Sequence, residues 1–150
     1  MSIQVRWAPG HDRFPRLHWV LDKAAFNAFS RYGVVHELTA DETIFEGGSP
    51  STALFLVIDG EVVIRRAGTE LARIRANHSF GEMGLLLDRP RSAGAVAAVE
   101  ARVLELSRKD LQRMLDESPI WAARLYRVLA ECLAEYLDAA EDPFRSADPA

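Results

Sequence analysis

The apolar residues of this chain change period twice, and that change constrains the fold more than any single motif. Residues 22–33, DKAAFNAFSRYG, place Ala25, Phe26 and Phe29 at helical spacing. The pattern then breaks into VVHELTADETIFEGG, ALFLVIDGEVVIRRAG, TELARIRA and GAVAAVEARVLELS, runs rich in Val, Ile, Leu and Phe and punctuated by Gly, Asp, Asn and Pro. Runs of that length and content form short strands. Beyond Ser107 the helical period returns. The reading is a mainly β domain with flanking helices: a jelly-roll-like β-barrel of about eight strands, a short N-terminal helix and two C-terminal helices.

Local signals set expected boundaries. Gly33 is read as the left-handed cap of the first helix. Asp59-Gly60 reads as a two-residue hairpin turn and Ala67-Gly68 as a weaker one. Ser107 followed by Asp110 resembles a capping box with Asp in place of Glu, and Ser118-Pro119 gives an N-cap with proline at the first helical position. In the last helix Leu125, Leu129, Cys132 and Tyr136 recur at spacings of four, three and four, with Leu133 and Leu137 beside them. So wide an apolar face serves both the barrel and a partner. Residues 1–20, with Pro9, Gly10 and Pro15 beside Trp7 and Trp19, read as an irregular arm on the domain. Residues 21–140 form the domain and 141–150 a frayed tail.

Composition narrows the function classes. At 150 residues the chain can bury a core without disulfides or metals, and its formal charge of -4 gives no basic field to hold nucleic acid. No apolar run approaches the ~18 residues that cross a membrane, and the N-terminal segment has charges and prolines where a signal peptide is apolar. The lone Cys132 has no internal disulfide partner, which suits a reducing compartment; the expectation is cytoplasmic. His11, His18, His36 and His78 are scattered, without the His-x-His pair of a metal-dependent cupin, and no nucleophile is paired with a base. The expectation is no enzyme, no metal and no cofactor. The chain ends soon after its last helix, leaving nothing expected to enter a groove, and the wide apolar face of that helix is expected to serve a homodimer or an unidentified protein partner.

The chemistry concentrates in SFGEMGLLLDRPRSAGAV, residues 79–96. Gly81-Glu82-Met83-Gly84-Leu85-Leu86 can form one helical turn whose first amides are unpaired and whose glycines let an anion approach. Arg91 follows nine residues after Glu82, past a proline-set bend, and its guanidinium can clamp two oxygens of that anion; Ser92 adds a hydroxyl. A carboxylate suits a sugar hydroxyl instead. Phosphate plus sugar means a nucleotide.

This stretch, preceded by ALFLVIDGEVVI and followed by VLELSRKDLQRML, resembles the phosphate-binding cassette of cyclic nucleotide-binding domains, as in bacterial catabolite activator proteins and protein kinase A regulatory subunits. The resemblance covers roughly residues 21–140 and implies a cyclic nucleotide ligand, cyclic AMP first and cyclic GMP as the alternative. It also implies roles: Glu82 for the ribose 2′-hydroxyl, Arg91 and Ser92 for the cyclic phosphate, and the amides of Gly84 and Leu85 for the remaining phosphate oxygen. Gly81, Met83 and Ala93 complete the cassette, and Ile64 and Leu71 receive the base. Two positions depart from the family pattern. Gly94 stands where most members carry Thr, Ser or a larger residue, and Tyr136-Leu137 stands where Thr-Ser reads adenine in the bacterial activators. Tyr136 is read as a stacking face or phenol for the base. The alternative is a domain of this type that has lost its ligand and serves as an interaction or dimerisation module, with Glu82 and Arg91 paired to each other.

Overall fold

The computed structural model describes residues 3–8, 16–21, 23–81, 85, 88–127, 130 and 134, with 3–8, 16–21 and residue 25 as backbone. In chain order the elements are β1 (Ile3–Ala8), β2 (Arg16–Leu21), α1 (Lys23–Ser30), β3 (Val34–Leu38), β4 (Thr43–Phe45), β5 (Ala53–Asp59), β6 (Glu61–Arg66), β7 (Thr69–Arg75), β8 (Ser79–Phe80), β9 (Gly94–Ala97), β10 (Ala101–Ser107) and α2 (Arg108–Glu117). Residues 119–127 are again helical.

β5 builds two cores at once, because successive side chains of a strand leave opposite faces. Leu54 and Leu56 point one way, and Ala53, Phe55 and Val57 the other, all buried. Its antiparallel neighbour β10 does the same, with Leu104 and Leu106 against Ala101 and Val103. These strands are the centre of a sheet in the order β3-β10-β5-β8, and a second four-stranded sheet runs β4-β9-β6-β7. Val62, Ile64, Ile74, Ala95 and Ala97 of the second sheet close the core that holds Phe55 and Val57. On the other side Phe29 of α1, Leu111, Met114 and Leu115 of α2, and Trp121 and Leu125 cover Leu54, Leu56, Leu104 and Leu106. Each of these large side chains contributes about 1.5–3 kcal/mol by burial. Phe29 meets Trp121 edge to face, with ring centroids 6.2 Å apart.

The helix start after β10 follows its sequence signal: the Ser107 hydroxyl accepts the Asp110 amide hydrogen at 3.1 Å. Other expectations change. Asp59-Gly60 is no hairpin, since β5 and β6 belong to different sheets; Gly60, at φ 86°, makes the corner between them. The hairpin is the turn with the weaker signal, Ala67-Gly68, where both residues take positive φ and Arg66 faces Thr69. Gly33 is not in the left-handed region. It is needed for close approach, because a Cβ there would stand 2.6 Å from Leu104 Cδ1. The expected irregular arm contains an antiparallel pair, β1 with β2, in register from Ile3 opposite Leu21 to Ala8 opposite Arg16. Its breakers, Pro9, Gly10 and Pro15, fall in sequence between the two strands and lie outside the described residues.

α1 and α2 are tied where both end. The Tyr32 hydroxyl donates to Glu117 Oε2 at 2.7 Å, and the Arg113 guanidinium lies 5.2 Å from the Tyr32 ring centroid. That hydrogen bond, then burial and the Glu117 charge, raise the Tyr32 pKa above its ordinary value, against a lowering by Arg113 and Arg31. A raised pKa means that the folded state holds the proton more tightly, so the contribution is complete below about pH 10 and is lost as pH climbs through the folded value. Denaturant unfolding of wild type and Tyr32→Phe between pH 9 and 11.5 is expected to show wild type more stable at the acid end and the gap closing at the alkaline end. A gap that does not vary with pH contradicts the link.

Candidate functional site

β8 delivers the chain to Gly81, whose φ of 83° turns it out of the sheet. Ten residues later Arg91, 6% exposed, reaches back to the same place. Its Nη1 donates to the Gly81 carbonyl at 2.7 Å and its Nη2 to the Ala53 carbonyl at 2.5 Å. The guanidinium lies 4.2 Å over the Phe45 ring and 5.9 Å from that of Phe55. A Cβ on Gly81 would stand 2.6 Å from Arg91 Nη1, so a side chain there would push the guanidinium aside. Beneath this cation the rings of Phe55 and Phe80 stack with centroids 5.2 Å apart, and Phe45 tilts against both.

The arm that carries Arg91 is stitched to three other elements. Its amide hydrogen bonds to the Ser49 carbonyl at 2.8 Å, and its carbonyl accepts from Gly48 at 2.7 Å. The buried Ser51 hydroxyl donates to the Arg89 carbonyl. Arg66, next to the β6–β7 turn, donates its Nε hydrogen to the Ser92 carbonyl at 3.0 Å. Arg108, the first residue of α2, donates from Nη2 to the Ser51 carbonyl at 3.1 Å and to Asp88 Oδ1 at 3.2 Å. The arm is thereby joined directly to the start of a helix.

The expected residues divide between two layers. Ile64 and Ala93 are buried in the core between the sheets, and Leu71, like Phe45, packs against that core. Arg91 enters that layer over Phe45 and Phe55. Leu85 is buried on the opposite side of the first sheet, in the cluster that holds Leu54, Leu104 and Leu111. Ser92 is exposed and lines an open cleft of about 300 Å³ with Gly47, Arg65, Arg66 and Gly94. That cleft does not take in Arg91. Glu82, Met83, Gly84 and Tyr136 lie outside the described residues. Gly94 is not demanded by packing: a Cβ there would meet Phe45 O at 3.5 Å, an ordinary contact. Among the described residues no three His, Cys, Asp or Glu side chains are grouped to hold a metal ion. No described helix is long and apolar enough to cross a membrane.

Phe45, Ser51, Arg66 and Arg108 were not anticipated. Each is distant in sequence from the residue that it supports, and no local pattern carries the pairing; an arginine directly after the Ser107 cap was the nearest signal.

A buried arginine thus reaches back to the glycine turn at the end of a short strand. The sequence model described as cyclic nucleotide-binding domain matches residues 35–118. The chain belongs to that family. Its β-rich fold with flanking helices is the jelly-roll architecture of the family's solved members. The domain is 38% identical over 97 residues to the cyclic AMP receptor protein of Thermus thermophilus, covering 61% of this chain and 45% of that protein. It is also 38% identical over 95 residues to glutaminase 1 of Bradyrhizobium diazoefficiens, covering 63% of this chain but 15% of that protein. The domain thus spans less than half the length of these curated relatives. A structure solved in work on a cyclic-GMP-dependent signalling pathway of bacterial phytopathogenesis superposes with a TM-score of 0.69 at 30% identity, over 79% of this chain and 96% of that one.

Proposed function

We propose that this domain is a regulatory module that binds a cyclic nucleotide, cyclic AMP foremost, in the cytoplasm and passes the binding event to a partner surface without chemistry on the ligand. The observation that carries the reading is Arg91, a cation buried beside the cassette turn and oriented by two carbonyls and an aromatic face. Burying a cation is costly, and an arriving phosphate offsets that cost more strongly in a low-dielectric setting than in water. Ser92 and the cassette amides add donors to the phosphate, Glu82 takes the ribose hydroxyl, and Ile64 and Leu71 meet the base. Arg108 gives the route outward, because movement of the 88–92 arm pulls on the first turn of α2.

Residues 21–140 act as this module in our reading, and the last helix, through Leu129 and Cys132, carries either a homodimer seam or a docking face. A charge in such a seam leaves two like charges facing each other in poorly solvated surroundings. Light scattering is expected to give a dimer for wild type and a monomer for Leu129→Glu at matched concentration. A wild type that is monomeric with and without nucleotide contradicts the seam.

A second reading has one observation in its favour: the Arg91 guanidinium is already engaged by the Gly81 and Ala53 carbonyls, as it would be in a scaffold that binds no ligand. Thermal shift separates the two, since a ligand that binds only the native state raises stability by mass action, by about 2.7 kcal/mol at a hundred times Kd. A melting temperature raised by cyclic AMP or cyclic GMP, and unmoved by divalent metals, supports the sensor. No response to either nucleotide supports the scaffold.

A further inference from the structure

We propose that Phe45 is a positioning residue for the ligand clamp: its ring is the platform that fixes the plane of the Arg91 guanidinium before any ligand arrives. This deepens the nucleotide reading above and rests on it for its binding arm, although the platform itself has a readout that needs no ligand.

The contacts around Arg91 restrain its guanidinium in two ways. The Phe45 ring closes one face at 4.2 Å. The Gly81 and Ala53 carbonyls hold one nitrogen each, at 2.7 and 2.5 Å, and so fix rotation within the plane. A methyl group at Gly81 would stand 2.6 Å from Nη1 and displace the guanidinium. A planar cation needs both restraints: in-plane acceptors set the direction of its fork, and a stacked face sets the tilt. Backbone carbonyls supply the first and Phe45 the second. Phe45 is itself held in place, tilted against Phe55 at 5.7 Å and Phe80 at 6.1 Å, rings that stack on one another. The platform is therefore the top of an aromatic core cluster.

The sequence hides this role, because Phe45 closes the short strand β4, whereas Arg91 comes from the arm before β9. The pairing of Phe45 with Ala95 brings the two segments together. An aliphatic residue fills the same half-buried volume but offers no negative ring face to a cation, so it preserves packing and removes the tilt restraint. An arginine that must be reoriented when ligand binds weakens binding by the ordering cost, which is the general penalty for lost preorganisation.

The test uses Phe45→Leu and Phe45→Tyr in the full chain, with two measurements. Nucleotide affinity by calorimetry is expected to fall about 5- to 20-fold in Phe45→Leu and to stay within about 2-fold of wild type in Phe45→Tyr, following the usual strength of a desolvated cation–π contact. In ligand-free protein the Arg91 Nε–H group, its resonance assigned by loss in Arg91→Lys, is expected to be motionally restricted in wild type and Phe45→Tyr and to gain fast motion in Phe45→Leu, read by 15N relaxation. A purely packing role would make affinity follow thermal stability in both variants and leave the Nε–H motion unchanged. Unchanged affinity in Phe45→Leu, or Nε–H motion that ignores the substitution, overturns the proposal. If wild type binds no cyclic nucleotide, the sensor reading fails with the affinity arm, and the Nε–H motion alone still decides whether Phe45 orients Arg91.

Discussion

Arg91→Ala is expected to lose nucleotide binding by about 2–4 kcal/mol, some 30- to 1000-fold in Kd, because it deletes a charge-assisted, desolvated contact to the phosphate. The same substitution strips donors from the Gly81 and Ala53 carbonyls and the cation from the Phe45 face. Each carbonyl left unsatisfied costs about 1–3 kcal/mol, so the variant is less stable and its affinity is measured well below its melting temperature. Arg91→Lys separates charge from geometry. Lysine keeps the positive charge but cannot bridge two carbonyls with a planar fork, so intermediate binding is expected. A folded Arg91→Ala protein with the wild-type dissociation constant contradicts the role assigned to this residue.

Gly60→Ala is expected to be the most damaging small substitution away from the site, at about 3 kcal/mol. Gly60 has φ 86°, which costs an alanine about 1–2 kcal/mol, and its new Cβ would stand 2.5 Å from the Glu100 carbonyl oxygen and 2.8 Å from the Ala101 Cα. Neither neighbour is the movable end of a side chain. Gly68→Ala is the matched control: φ is 78°, but nothing lies within 4 Å, so only the backbone strain of about 1 kcal/mol remains. Denaturant midpoints of the two variants measure the difference. Equal losses contradict the steric account of the corner between β5 and β6.

The contrast between these glycines also explains how far the sequence could be read. Short runs rich in Val, Ile, Leu and Phe and bounded by turn residues marked the strands of the two sheets, and the Ser107 cap acts within three residues of itself. Gly60 and Gly68 look alike in sequence, each after a residue that can enter a turn, yet one switches sheets and the other closes a hairpin. That choice depends on which strands find each other, a non-local outcome. The site divides in the same way. Arg91, Gly81, Ala93 and Ile64 were legible from the cassette pattern and from apolar spacing, and the structure brings them to one layer. Phe45, Ser51, Arg66 and Arg108 support that layer from segments 26 to 46 residues away or from the far side of β10, where no periodicity links them.

Calorimetric titration of the wild-type protein with cyclic AMP, cyclic GMP and linear 5′-AMP addresses the central claim directly. The account predicts saturable binding of a cyclic nucleotide, one per chain, with the linear nucleotide weaker because its extra phosphate charge and open geometry do not fit a clamp set by Arg91. A folded protein that gives no saturable heat with either cyclic nucleotide at millimolar concentration, and no change in melting temperature, contradicts it.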